Sequence, residues 1–308
     1  MSKRPIVALL LLACLGLCLY PCARAEGMDQ APAPAIWLWT ENVPYMDESP
    51  DQDPPFLTAY AAKGAEIALI ICPGGGYHIK SRLEGARIAM HFRERGFSCF
   101  VLDYRADPGN PLAPLADANR AVRVVRAMGY RYVGIMGFSA GGHLAACAAV
   151  HWDRGNSRAS DTIERVSCRP DFLVCCYAVT SFVTFPQQGS AQRLLGEAYP
   201  DPALLVYFSP ERYVNAETPP AFIWHSALDA KVSPRHSMLL AEAFSKAGVP
   251  YELHIYPDGK HGINLAKKYP FASQWPDECA RFIDAVCAPD GLAAQDAADI
   301  EDAEDAGN

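Results

Sequence analysis

The residues best suited to chemistry are Gly137-Phe138-Ser139-Ala140-Gly141, a GxSxG between an apolar run (YVGIM) and a helix-forming stretch (AGGHLAACAAV). A strand that turns sharply into a helix at a serine leaves the hydroxyl exposed at the turn, and small neighbours are needed because the turn is tight. The N–H of the following residue, here Ala140, then points into the reaction site. A serine hydroxyl is a weak nucleophile until a base takes its proton, and that base must be oriented by a third group. In this arrangement the partners are expected in the order serine, acid, histidine. Asp229, in HSALDAKVSP at the end of the run AFIWHS, and His261, in YPDGKHGINL after YELHIY, satisfy that order. Both fall on loops at strand C-terminal ends, the edge where open α/β sheets place their sites.

Acyl transfer also needs donors for a developing oxyanion. Cys72-Pro73-Gly74-Gly75-Gly76-Tyr77 follows an early apolar run, where such a loop belongs, and its glycines let main chain approach a substrate oxygen. A phosphate cradle is the rival reading, but neither a GKS/GKT signature nor a GxGxxG is present. The other histidines have weaker contexts. His254 lies inside a strand, His225 at a strand end before the acid loop, and His143 on the helix after the serine, where it reads as a packed residue. His78, His91, His151 and His236 lack any comparable setting. Neither a CxxC nor a Cys/His spacing points to zinc, and the chemistry calls for no metal and no cofactor.

The elements that must hold these residues alternate along the chain. Apolar strands read at Glu66–Cys72, Phe97–Leu102, Tyr132–Met136, Asp171–Tyr177, Ala221–Ser226 and Tyr251–Tyr256. Helical patterns read at Ser81–Arg95, Ala116–Met128, Ala140–Val150, Pro234–Ala247 and Pro276–Cys287. Strands apolar on both faces imply a mostly parallel central sheet with helices on both faces, an α/β fold. No internal repeat or second domain boundary interrupts residues 36–287.

The motifs PGGGY, GFSAGGHLA, LLG at 194–196, FSPERYV, HSALDAKVSP and YPDGKHG give the chain a family likeness. It resembles the short bacterial esterases of the α/β-hydrolase fold, and more narrowly the acetyl-xylan-esterase-like group that deacetylates plant polysaccharides. The likeness runs from about Ile36 to Cys287. It implies Ser139 as nucleophile, His261 as general base and acid, and Asp229 as the orienting acid. Gly75, Gly76 and Ala140 would supply the oxyanion N–H groups. Pro73 stands where lipase-like relatives carry histidine, which fits the acetyl-esterase branch, whereas Tyr177-Ala178-Val179 departs from the Tyr-Pro often seen there.

Composition must be read in segments. Of the 308 residues 50% are apolar and 20% charged, too charged for a multi-span membrane protein and too apolar for a disordered one. Residues 1–25 have the basic n-region, apolar run and Ala-Arg-Ala site of a signal peptide cleaved after Ala25, with lipidation at Cys14 as a second reading. Export is the expected localisation, without stable membrane insertion after cleavage. The leader holds three bases and no acid, so removing it takes the charge from −8 to −11. Residues 26–35 read as a linker, and 288–308 as a disordered tail whose seven acids leave about −4 for the rest. The acidic −8 of the whole chain argues against a nucleic-acid partner, while the nearly balanced body leaves net charge saying little about the substrate. The leader also removes three of eleven cysteines, and most of the others sit in apolar runs and read as core. Export permits disulfides, and Cys168 with Cys175 or Cys176 is one pairing.

The expected function is a secreted serine esterase acting on short acyl esters, most simply acetyl groups, of a carbohydrate. Trp37, Trp39, Tyr77, Trp152 and Trp275 are candidate sugar platforms, with Tyr77 and Trp152 as the substrate contacts to test. The alternatives are a serine peptidase of prolyl-oligopeptidase type, for whose added domain the length leaves no room, and a binding protein on a hydrolase scaffold, which would be expected to have lost a triad member.

Overall fold

A computed structural model describes residues 34–47 and 52–289. The expected leader, linker residues 26–33 and tail residues 290–308 lie outside the described residues. Eight strands form one sheet: β1 (Ala35–Trp37), β2 (Phe56–Tyr60), β3 (Ile67–Cys72), β4 (Ser98–Asp103), β5 (Tyr132–Phe138), β6 (Leu173–Cys176), β7 (Ala221–Ser226) and β8 (Tyr251–Tyr256). Their order is β1-β2-β4-β3-β5-β6-β7-β8. The six strands from β4 to β8 run parallel, and β1 and β2 add an antiparallel edge.

Strand alternation divides the core into two layers. Ala68, Ile70 and Cys72 of β3 and Leu173 and Cys175 of β6 join one layer. It is covered by α2 (Ala113–Ala127), α3 (Ala140–Val150) and α6 (Arg235–Ala247). Leu69 and Ile71, with Val174 and Cys176, join the other, covered by α1 (Ala86–Arg93) and α7 (Trp275–Val286). The expected α/β fold with helices on both faces is therefore present.

Several details differ from the sequence reading. The edge strands β1 and β2 are extra, and β1 takes in Ala35, the last residue of the expected linker. Short edge strands half open to solvent leave little apolar signal: of the five residues of β2, Leu57 alone is fully buried. The helix expected from Ser81 is broken into a 3-10 turn at Arg82–Glu84 and then α1, with Gly85 between them at φ −104° and ψ −104°, outside the helical range. Two short helices, α4 (Gln188–Leu195) and α5 (Pro202–Tyr207), fill a stretch that carried no assignment. Asp201 caps the second by accepting from the amides of Ala203 and Leu204.

The disulfide pairing of Cys168 with Cys175 or Cys176 is not made. All eight cysteines among the described residues are free and buried. Cys175 and Cys176 are consecutive on β6 and so project to opposite faces, while the Cys168 sulfur accepts from the Asp153 amide at 3.1 Å. Burial pushes the thiols up, Cys168 to about 11 and Cys175 to about 12, which keeps them unreactive. Among the described residues no helix is long and apolar enough to cross a membrane.

Candidate active site

The parallel strands bring four loops to one sheet edge. The glycine loop follows β3, Ser139 follows β5, Asp229 lies on the loop after β7, and His261 on the loop after β8. Since β3 neighbours β5 and β7 neighbours β8, glycine loop and serine lie side by side, as do acid and histidine.

At the serine, the tight turn is enforced by contact. A Cβ on Gly137 would fall 2.0 Å from the Gly141 carbonyl oxygen, and one on Gly141 would fall 2.1 Å from that of Cys72. Ser139 itself has φ 54° and ψ −118°, a strained backbone that the surrounding sheet and helix hold in place. Its amide donates to the Cys176 carbonyl at 3.0 Å. The hydroxyl is thereby presented at the start of α3.

A line of short hydrogen bonds leads away from it. Ser139 Oγ lies 2.8 Å from His261 Nε2, and His261 Nδ1 lies 2.7 Å from Asp229 Oδ2. Asp229 is itself held from three directions. Its Oδ1 accepts from the amides of Lys231 and Val232, both at 2.9 Å, and its Oδ2 also meets His225 Nε2 at 3.2 Å. Burial alone would raise this carboxyl, but hydrogen bonds from His225, His261 and the Val232 amide outweigh it and hold it well below the usual carboxylate range. The structure thus brings Ser139, Asp229 and His261 into one chain of contacts.

The glycine loop is fastened at nearly every other polar atom. Tyr104 donates to the Pro73 carbonyl at 2.7 Å, Glu84 accepts from the Gly74 amide at 2.9 Å, and the Ser81 amide donates to the Gly74 carbonyl at 2.8 Å. The Gly75 carbonyl accepts from His78 and Ile79, and that of Tyr77 from Asp107. Among the described residues, the amides of Gly75, Gly76 and Tyr77 donate to no protein acceptor. Gly75 has φ +139°, and a Cβ there would meet the Ile79 carbonyl oxygen at 1.9 Å, so glycine is required. The loop abuts the nucleophile, because a Cβ on Gly74 would lie 3.1 Å from that of Ser139. Ala140, the first residue of α3, has an amide that the helix leaves without an internal partner.

The two proposed substrate contacts fall elsewhere. Tyr77 is 1% exposed and gives its hydroxyl to His143 Nδ1 at 2.7 Å, so it braces the glycine loop from beneath and offers no ring face. Trp152 lies beyond the far end of α3, the opposite end from Ser139, with the Arg154 and Arg169 guanidiniums both against its ring. Trp275 is wholly buried against Trp224. His143 is fully buried as a packed residue, its Nε2–H donating to the Phe208 carbonyl at 2.7 Å. Ala178, at the departure from Tyr-Pro, packs on Gly142 of α3.

Two site residues carry no sequence signal of their own. His225 reads as a strand-end histidine until its contact with Asp229 is seen, and Glu84 reads as one more polar position on a helix. Among the described residues no cluster of three or more His, Cys, Asp or Glu side chains could hold a metal ion.

The family model BD-FAE matches residues 57–244. The chain belongs to that family. It is 35% identical over 250 residues to endo-1,4-beta-xylanase B of Butyrivibrio fibrisolvens, covering 77% of this chain and 39% of that protein. It is 30% identical over 234 residues to the acetylxylan esterase of Xylanibacter ruminicola, covering 72% of this chain and 46% of that protein. The chain therefore spans less than half the length of these two curated relatives. Among solved structures, the acetyl ester-xyloside bifunctional hydrolase from Caldicellulosiruptor lactoaceticus is similar with a TM-score of 0.79 at 38% identity, covering 84% of this chain and 98% of that one. This BD-FAE member thus stands in the esterase group of the α/β-hydrolases.

Proposed function

We propose that the chain is a serine esterase that removes short acyl groups, acetyl foremost, from an acylated carbohydrate. The observation that carries the reading is the line from Asp229 through His261 to Ser139, with contacts of 2.7 and 2.8 Å, beside a glycine loop in which the Gly75 and Gly76 amides have no protein acceptor among the described residues. Ser139 attacks the ester carbonyl while His261 Nε2 accepts its proton. Asp229 fixes the ring with Nδ1–H toward itself and stabilises the imidazolium that forms. The carbonyl oxygen, now negative, is received by the amides of Ala140, Gly75 and Gly76, donors already in place before charge develops. His261 then returns the proton to the leaving alcohol. Water, activated by the same imidazole, cleaves the acyl-enzyme and releases the acid and free Ser139.

The substrate class rests on likeness to proteins named acetylxylan esterase and acetyl ester-xyloside hydrolase. Export, by the leader at residues 1–25, would bring the enzyme to such polymers. The test has two steps. Hydrolysis of p-nitrophenyl acetate is expected to fall by several orders of magnitude in Ser139→Ala, and a variant as fast as wild type would sink the assignment. Acetate release is then compared on acetylated xylan, pectin, mannan and small sugar acetates, with xylan or its oligosaccharides expected to be preferred.

A further inference from the structure

Glu84 takes no part in the line from Asp229 to Ser139, yet it is 5% exposed and its two oxygens face two different loops of the site. Oε2 accepts from the Gly74 amide at 2.9 Å, and Oε1 accepts from the Tyr177 hydroxyl at 2.7 Å. A Cβ placed on Gly74 would lie 2.7 Å from Glu84 Oε2, 2.7 Å from the Phe138 carbonyl oxygen and 3.1 Å from Ser139 Cβ. The carboxylate, the glycine loop and the serine turn are therefore packed together. Tyr177, directly after β6, carries the contact onward. Its ring meets the His261 ring edge-on at 5.2 Å between centroids, and its hydroxyl accepts from the amide of Asn264, three residues past His261, at 3.3 Å. Burial and then the charge of Glu84 hold the Tyr177 phenol well above its ordinary value, so it remains a donor.

We propose that Glu84 is a positioning residue that sets the glycine loop and the His261 loop against each other. On one side it engages the Gly74 amide, which leaves the next two amides to face the substrate oxygen. On the other it anchors Tyr177, which supports the His261 ring and the main chain at Asn264. Both groups reaching Glu84 are donors, so the position calls for an acceptor at each oxygen. A glutamine would turn an NH2 toward one of them. The inference rests on the esterase reading and concerns how its two halves are kept in register.

The test uses Glu84→Gln, Tyr177→Phe and the double variant in the full chain, assayed with p-nitrophenyl acetate and a phosphonate probe. A misplacement of about an ångström can cost about a hundredfold in rate. Glu84→Gln is expected to lower kcat about ten- to a hundredfold with KM within about twofold, and to slow phosphonylation of Ser139 in parallel. Tyr177→Phe keeps the ring but loses the hydroxyl, and is expected to lower kcat by less. The double variant is expected to match Glu84→Gln, since one connection is broken in both. A folded Glu84→Gln with wild-type kcat overturns the proposal. So does a rise in KM alone, or a double variant whose loss is the product of the two singles. If Glu84→Gln does not fold, Tyr177→Phe decides, and wild-type kcat there overturns it. A wild type inert to both reagents would overturn the esterase reading itself, a result distinct from an active enzyme indifferent to Glu84.

Discussion

Two buried aspartates, one under the loop after β4 and one in the active site, show what separates a structural charge from a chemical one. Asp117 on α2 is wholly buried and paired with Arg105, whose side chain is 1% exposed. Oδ1 meets Nη2 at 2.6 Å, while Oδ2 accepts from Arg105 Nε at 3.1 Å and from its amide at 2.9 Å. Arg105 spends its other donors on the carbonyls of Pro44 and Ala113. Every group is satisfied, and a guanidinium is charged at any working pH. Asp229 is equally shielded, its side chain at 0% exposure, but its partners are two imidazoles and two main-chain amides. Among the described residues no Lys or Arg pairs with it. In the proposed reaction a cation appears there only when His261 takes the serine proton, so Asp229 favours the transition state over the resting enzyme. The Arg105–Asp117 pair offers no such difference.

The largest expected effect is therefore at Asp229. Asp229→Asn keeps the shape but removes the charge and favours the wrong imidazole tautomer, and kcat is expected to fall about 10⁴-fold. Measured Tm should move far less than activity. Retention of more than a tenth of wild-type kcat would erase the distinction between the two sites.

Asp117→Ala makes the opposite change. Removing one partner leaves Arg105 buried without its counter-charge, at a cost of about 3–5 kcal/mol. Urea unfolding should show that loss, while the folded fraction keeps near-normal kcat at low temperature. An unaltered midpoint, or a kcat loss as deep as that of Asp229→Asn, would contradict the assignment of Asp117 to the scaffold.

Much of this was legible before the fold. The apolar runs of β3, β5 and β7 are fully buried in a parallel sheet, so both faces are apolar and the pattern is plain. Ser139, Asp229 and His261 were legible because sequence order and strand ends constrain them jointly. Tyr77 and Trp152 were misplaced because an aromatic side chain carries no mark of the face it turns to: one lies beneath the loop and the other at the far end of a helix of 11 residues. Glu84 and His225 were illegible for a related reason. Each acts through a partner distant in the chain or across a turn, Tyr177 being 93 residues from Glu84, and no local pattern encodes such a meeting.

His225 sharpens the comparison at smaller scale. Its Nε2 faces two acceptors, Asp229 Oδ2 at 3.2 Å and the Val232 carbonyl at 3.0 Å, so that nitrogen carries the hydrogen. Ser237 Oγ meets Nδ1 at 2.8 Å and completes the ring's contacts. His225→Leu removes one of four donors to Asp229 and leaves the other three, so kcat is expected to fall about tenfold, in line with one charge-assisted hydrogen bond. A loss as large as that of Asp229→Asn would mean that His225 does more than support the acid.

Acid stability extends the comparison to buried groups that must stay uncharged. His143 and His236 are both pushed down to about 4, chiefly by burial. An unfolded imidazole titrates near 6.5, so below that pH the unfolded chain binds protons that the folded chain refuses. Stability is then lost as pH falls from about 6.5 to about 4, by up to about 1.4 kcal/mol per unit for each histidine. Asp229 acts in a lower window. Its depressed carboxyl stabilises the fold above the ordinary carboxylate pKa, and that contribution is lost only as pH falls below about 4 through its folded value. His236 accepts from the Thr180 amide through Nδ1 at 3.1 Å, a bond a glutamine oxygen can take over. His236→Gln is therefore expected to remove its own share of the upper phase, leaving that of His143 and the whole lower phase, whereas Asp229→Asn removes its share of the lower phase alone. Urea midpoints taken at intervals from pH 7 to pH 3 distinguish the two, and a His236→Gln curve parallel to wild type throughout would refute this division of the acid response.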